Sequence, residues 1–105
     1  MGQALKQINV LWKYAQVHGG DRLLSMTLSK LIEAKMDQYN REIEELEEEM
    51  RSFERKYHIG SEKFYASYQQ GEIGDAMDFH EWFALCDMHR RSFKERALLR
   101  EAEER

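Results

Sequence analysis

One cysteine and one histidine are the residues whose types and spacing suggest chemistry. Cys86 and His89 stand three positions apart, so in a helix both side chains lie on one side. With His80 or Asp87 they would begin a transition-metal site, and by themselves they resemble a thiol nucleophile beside a base. A structural zinc site needs four ligands, and covalent catalysis needs an orienting group, oxyanion donors and a pocket. Because we find no further signal for either set, we predict no metal, no cofactor and no catalytic residue.

A basic cluster in the last quarter of the chain could contact phosphate groups. From His89 to Arg100 the sequence has five basic residues against one acidic residue. The candidate nucleic-acid contacts are Arg90, Arg91, Lys94 and Arg96. Against this hypothesis stand a formal net charge of -4 and the lack of a recognisable helix-turn-helix or ribonucleoprotein motif.

An acidic stretch offers another explanation for the basic cluster. From Glu33 to Glu49 the chain has eight acidic residues against two basic ones. If the two stretches face each other, they form a salt-bridge surface within the chain or between chains. We favour this interpretation, and nucleic-acid binding is kept as the second hypothesis.

The elements that must position these residues are helices. Proline is absent from all 105 residues, and no glycine interrupts residues 22–57. One helix of roughly 36 residues, about 54 Å long, can therefore form there. Its large apolar residues recur at alternating spacings of four and three, which is the heptad pattern of coiled coils. The predicted oligomer core consists of Ile32, Met36, Tyr39, Ile43, Leu46, Met50, Phe53 and Tyr57.

Glycines and polar capping residues delimit the other helices. The four helices of a single domain are expected at residues 1–20, 22–57, 61–70 and 78–103. Asp21 and Ser61 are candidate N-caps, and Gly71 can end the short helix in the left-handed conformation. Asp78 and Glu81 have the spacing of a capping box at the start of the last helix.

Aromatic residues crowd around the turn between the last two helices. Such residues are favoured both in cores and on recognition surfaces. A core role is the simpler interpretation, but a thin helical hairpin has little volume with which to cover all of them. We predict that the surplus forms a partner interface. The residues concerned are Phe64, Tyr65, Tyr68, Phe79, Trp82 and Phe83.

Together these patterns predict an all-α fold, a long-helix antiparallel hairpin with coiled-coil-like packing that assembles into a dimeric helical bundle. The choice between a dimer and a tetramer stays open, and so does the orientation of the helices in the assembly. The single cysteine favours a reducing compartment, and no apolar run approaches the roughly 20 residues of a membrane span. We therefore expect a cytoplasmic protein that does not enter a membrane.

Four segments resemble small helical prokaryotic proteins of the antitoxin type. They are Met26–Glu33, Ser61–Tyr65, Gly71–Asp75 and Asp78–Trp82. The resemblance covers about residues 26–88, and its most specific part is Gly-Glu-Ile-Gly-Asp followed by Glu-Trp. It implies a cytoplasmic, dimeric protein that neutralises or regulates another protein by helix packing, without catalytic residues. Residues 1–25 depart from the pattern, and we expect them to be a lineage-specific helix or sequence upstream of a start at Met26.

Overall fold

A computed structural model of the chain describes residues 2–102. Within that range every regular element is an α-helix, which confirms the predicted all-α class. The helices are α1 (Gly2–His18), α2 (Arg22–Tyr57), α3 (Ser61–Gln69) and α4 (Met77–Arg100). The expected end of the last helix, at residue 103, lies outside the described residues. The chain divides into two compact units between Glu33 and Ala34, and each unit is described by itself.

The first unit contains α1 and the beginning of α2. Gly19 follows α1 with a φ of +73°, and its N–H donates to the carbonyl of Ala15 at 2.8 Å. Only a residue without Cβ adopts this left-handed conformation at little cost, so glycine ends the helix here. Asp21 caps α2 as the sequence predicts, because its Oδ1 accepts a hydrogen bond of 2.7 Å from the N–H of Leu24.

The second unit is an antiparallel hairpin of α2 and α4, with α3 packed on α4. Near the closed end the ring of Phe53 stacks on Trp82, with centroids 5.6 Å apart. Towards the open end Arg96 donates to Asn40 Oδ1 at 2.8 Å. Residue numbers along α4 therefore increase as the numbers of their partners on α2 decrease, so the two helices run antiparallel. This confirms the predicted hairpin.

The heptad face of α2 packs against α4 of the same chain. Buried members are Met36, Ile43 and Leu46, and Met50, Phe53 and Tyr57 are partly covered. The hydroxyl of Tyr39 donates to Glu95 across the hairpin at 2.9 Å. Ile32, the first member of the predicted oligomer core, belongs to the first unit. Because α4 already covers this face from Met36 onward, the face needs no second chain for its burial.

The end of α2 and the end of α3 both rely on left-handed backbone. His58 follows α2 with a φ of +57°, and its N–H donates to the carbonyl of Glu54 at 2.8 Å. Gly71 follows α3 with a φ of +73°, as the sequence predicts. The break after α2 thus begins at His58, directly after the predicted end of this helix at residue 57.

Two predicted caps are wrong. The N-cap of α3 is Gly60, and Ser61 is the first residue inside the helix, where it is buried. The N-cap of α4 is Ala76, and no side chain caps that helix. Asp78 lies in the first turn of α4, and its Oδ2 accepts hydrogen bonds from Lys56 at 2.7 Å and Tyr57 at 2.6 Å. These partners on α2 occupy the carboxylate that a capping box would use.

Candidate protein-binding surfaces

Phe64 and Trp82 form the centre of the hairpin's core. Both are fully buried, and their rings stack in parallel with centroids 3.8 Å apart. The indole N–H of Trp82 donates to Ser61 Oγ at 2.9 Å, which satisfies the polar atom of the largest buried side chain. The structure therefore corrects the predicted partner interface at these two positions: α3 folds onto α4 and leaves neither ring any exposed surface.

The other residues of the predicted partner interface form a half-buried layer beside this centre. Phe79 packs on Phe64, with centroids 5.9 Å apart. Phe83 stacks on Tyr65 and on Tyr68, at 4.8 and 4.4 Å. The aromatic set thus consists of core residues and their immediate cover, which is the simpler of the two sequence interpretations.

Both tyrosines of this layer also form hydrogen bonds within the chain. The hydroxyl of Tyr65 donates to Asp87 at 2.7 Å, and this bond raises the pKa of Tyr65 above its ordinary value. The hydroxyl of Tyr68 and His80 Nδ1 lie 2.6 Å apart. These hydrogen-bond partners were not predicted. The spacing of seven between His80 and Asp87 places both side chains on one face of α4, and this spacing could have indicated them.

The pair Cys86 and His89 is engaged in packing. Cys86 is buried, and its burial raises the pKa of the thiol to about 11 from 9.0, so the thiolate is scarce near neutral pH. His89 Nε2 lies 2.9 Å from Glu47 Oε2, and the imidazole packs on Phe93 with centroids 5.0 Å apart. Across residues 2–102 no group of three or more histidine, cysteine and acidic side chains is placed to hold a metal ion.

Two of the four candidate nucleic-acid contacts are held within the chain. The guanidinium of Arg90 lies over the ring of Tyr65, 4.0 Å from its centroid. Arg96 bonds Asn40 and lies over the ring of Phe93 at 4.6 Å. These cation–π contacts and the hydrogen bond fix both groups on the hairpin.

The other two candidates, Arg91 and Lys94, are exposed. Among the described residues they have no ion pair. The one ion pair there that joins the basic stretch to the acidic stretch is His89–Glu47, since Lys56 and Asp78 belong to neither stretch. Of the four candidate nucleic-acid contacts, Arg91 and Lys94 are thus the two that remain available to a partner.

A groove of about 980 Å³ lies where α3 stops covering the hairpin. Its apolar lining includes Met50 and Phe93, and its basic lining includes Arg90, Arg91 and Lys94. Phe93 is 43 % exposed, which is unusual for a residue at a core-facing heptad position. The groove is larger than the depression of about 440 Å³ on the same unit, which is lined by Ala84, Asp87, Met88 and Arg91.

The first unit has the most exposed apolar surface of the described chain. None of its described residues is buried, and eleven large apolar side chains are exposed. They are Leu5, Ile8, Val10, Leu11, Trp12, Tyr14, Val17, Leu23, Met26, Leu28 and Leu31. An apolar surface of this extent is typical of a surface that binds another molecule.

No protein family, curated protein or solved structure matches the chain. No helix among residues 2–102 combines the length and the apolar character needed to cross a membrane. The exposed apolar surface of the first unit and the groove of the second unit are therefore the features that bear on function.

Proposed function

We propose that this chain is a non-enzymatic helical module that acts by packing with itself and with another protein, in a cytoplasmic, regulatory role of the antitoxin type. The observation that carries the proposal is the first unit, with eleven exposed large apolar side chains and no buried residue. Leaving such a surface in water is costly, since each large side chain gains about 1.5–3 kcal/mol on full burial.

The occupant we propose for this surface is the first unit of a second copy. Leu5, Ile8, Leu11 and Trp12 share one face of α1 at helical spacing, and all four are exposed. A stable interface engages about 20–30 residues on each side, and the unit up to Glu33 has this size. A twofold axis would bring the same apolar face of each copy together, which covers both at once.

The charges of the first unit permit this pairing. Four basic residues and two acidic ones give residues 1–33 a formal charge of +2, so long-range repulsion between copies is small. Within α1 the basic residues Lys6 and Lys13 stand seven apart, on the side of the helix away from Leu11. The apolar faces can therefore approach without burying a lysine.

Light scattering on the full-length chain over a range of concentrations tests the proposal. We expect a dimer that dissociates on dilution. Leu11→Asp should shift the chain towards monomer, because it places a charge in the apolar face. Lys6→Gln makes the same change in net charge on the side of α1 away from the apolar face and should leave the dimer intact.

Thermal unfolding of each variant shows whether the hairpin is retained. Position 11 lies in the first unit, so the melting of the second unit should be unchanged. A monomer at every concentration, or equal dissociation in both variants, contradicts the proposal.

A further inference from the structure

The groove beside α3 differs from the rest of the hairpin because Phe93, at a core-facing heptad position, is still partly exposed, although the guanidinium of Arg96 lies over its ring. Phe79, Cys86 and Phe93 follow one another at intervals of seven on α4 and so share one face. Cys86 is buried and Phe79 is partly covered, whereas Phe93 is 43 % exposed. Phe93 thus lies at the edge of the α4 surface that its own chain covers, since the preceding residue, Ser92, is buried.

The length of α3 explains where the cover ends. α3 has 9 residues, or about 14 Å, against 24 residues, or about 36 Å, in α4. Its farthest contact along α4 is the ring of Tyr65 under Arg90. Phe93 and Lys94 come after that point, and the groove of about 980 Å³ extends to them from the first residues of α3.

The charged side chains that line the groove indicate the kind of partner that would bind there. Arg90, Arg91 and Lys94 line it together with the apolar side chains of Met50 and Phe93. Two acidic residues, Glu62 and Asp87, also line it; Glu62 lies in the first turn of α3, and Asp87 accepts the hydroxyl of Tyr65. The part beyond α3 is thus apolar along its floor and basic at its rim.

We propose that this groove binds an amphipathic, acidic helix of another protein, which completes a three-helix arrangement with α2 and α4. Apolar residues of that helix, spaced by three and four, pack on Phe93 and Met50. Its flanking carboxylates pair with Arg91 and Lys94. This inference deepens the proposed function, on which it depends for the existence of a protein partner, and it assigns the chemistry of that partner.

Three synthetic peptides of about 15 residues test the inference, by titration into the isotopically labelled full-length chain with amide shifts as the signal. The first has leucine at spacings of three and four with flanking glutamates. The second replaces the glutamates with lysines, and the third replaces the leucines with alanines. We expect the first peptide alone to bind, with shifts at Met50 and from Arg90 to Lys94.

Two variants and a matched control locate the binding. Phe93→Asp and the double variant Arg91→Glu, Lys94→Glu should each weaken the first peptide about tenfold or more. The control is Arg51→Glu, Arg55→Glu, which makes the same charge change at two exposed positions of α2 outside the groove. It should leave the affinity unchanged, and circular dichroism should show that every variant is folded.

Several results would overturn the inference. These are equal binding of the glutamate and lysine peptides, shifts confined to the first unit, or no binding of any peptide. Binding of a duplex DNA of about 20 base pairs at low salt, lost in Arg91→Glu, Lys94→Glu, would assign the basic rim to nucleic acid instead. Concentration-dependent shifts in the groove without peptide, abolished by Phe93→Asp, would assign it to a second copy.

The two proposals fail separately. Self-association through the first unit is measured by light scattering without peptide, and peptide binding is measured at residues of the second unit. If the peptides do not bind while the chain still dimerises, the groove assignment is wrong and the self-association stands.

Discussion

At the scale of single residues, Ser61 joins three helices of the second unit. It is the first residue of α3, its N–H donates to Glu54 of α2 at 2.9 Å, and its hydroxyl accepts the indole N–H of Trp82 of α4 at 2.9 Å. Ser61 is buried, and an unsatisfied donor at a buried position destabilises the folded state. The small side chain thereby positions α3 over the aromatic centre.

Ser61→Ala should therefore destabilise the chain by about 1–3 kcal/mol, because the buried indole N–H of Trp82 loses its acceptor. Urea unfolding measures the change. Ser52→Ala is the matched control, since Ser52 is an exposed residue inside α2, and it should cost nothing. Equal stability of the two variants would show that the Trp82 bond contributes nothing measurable.

Asp78 makes the stability of the second unit sensitive to acid. Its hydrogen bonds from Lys56 and Tyr57 lower the pKa of this carboxyl below the ordinary value of 3.8. A carboxyl whose pKa is lower in the folded state stabilises that state above its ordinary pKa, and the contribution is lost as the pH falls through the lowered value. The same contacts raise the pKa of Tyr57 and Lys56, so a second loss is expected when the pH rises above their ordinary values of 10.0 and 10.5.

Asp78→Asn should reduce the difference in melting temperature between about pH 7 and about pH 2, because the amide does not titrate. The loss should be seen at pH 7, with little change at the acidic end. Asp75→Asn, an exposed acid three residues earlier, serves as the control and should keep the pH dependence of the original chain. An unchanged pH dependence in Asp78→Asn would contradict the assigned role of this carboxylate.

At the scale of elements, the glycine after α3 sets where the chain turns towards α4. Gly71 has a φ of +73°, and its N–H donates to the carbonyl of Tyr68 at 3.1 Å. A side chain in this conformation costs about 1–2 kcal/mol, although a Cβ would meet open space there. The requirement for glycine is thus a matter of backbone conformation alone.

Gly71→Ala should lower the free energy of unfolding by about 1 kcal/mol. Gly74→Ala is a close control in the same connection, because Gly74 also has open space around it and its φ is not in the left-handed region. Chemical denaturation of both variants decides the question. If both lose the same stability, the left-handed backbone at Gly71 is not the cause.

The elements themselves were predictable from local pattern, whereas their caps and contacts were not. The bounds of α2, residues 22–57, follow from Asp21 and from the absence of breakers, and the spacing of four and three predicts its packed face. Asp78 was assigned to a cap because local spacing cannot show that Lys56 and Tyr57 reach it across the hairpin. The burial of Trp82 likewise depends on α3 folding over it, which is a tertiary event.

The candidate surfaces show the same limit. The basic cluster and the aromatic set were visible in the sequence, but which of their members are free depends on the packing. Arg90 lies over Tyr65, and Phe64 is buried, so neither offers the surface expected of it. The groove at Phe93 could not be predicted, because it lies next to the part of α4 that the short α3 does not cover.

At the scale of the whole molecule, the two units differ in charge and in how they bury apolar surface. Residues 34–105 carry twelve basic and eighteen acidic side chains, a formal charge of -6, against +2 for residues 1–33. The second unit has a buried aromatic core, and the first has no buried residue among those described. The second unit thus buries apolar surface within itself, whereas the described residues of the first unit have no comparable burial.

This difference predicts that the helix content of the full-length chain rises with concentration. An isolated helix as short as α1, with 17 residues, is marginal in water, so dilution to monomer should unwind it and dimerisation should restore it. Circular dichroism and hydrogen exchange measure this effect. Amides of α1 should gain protection only at concentrations at which light scattering shows a dimer, while amides of Ile43 and Leu85 stay protected throughout.

The variants of α1 make the prediction specific. Leu11→Asp should abolish the rise in helix content because it prevents the apolar faces from meeting, and Lys6→Gln should retain it. The second unit provides an internal reference, since its protection should be the same in both variants. If α1 were equally protected at every concentration and in Leu11→Asp, its helix would be stable without a partner, and the exposed apolar face would need an explanation other than self-association.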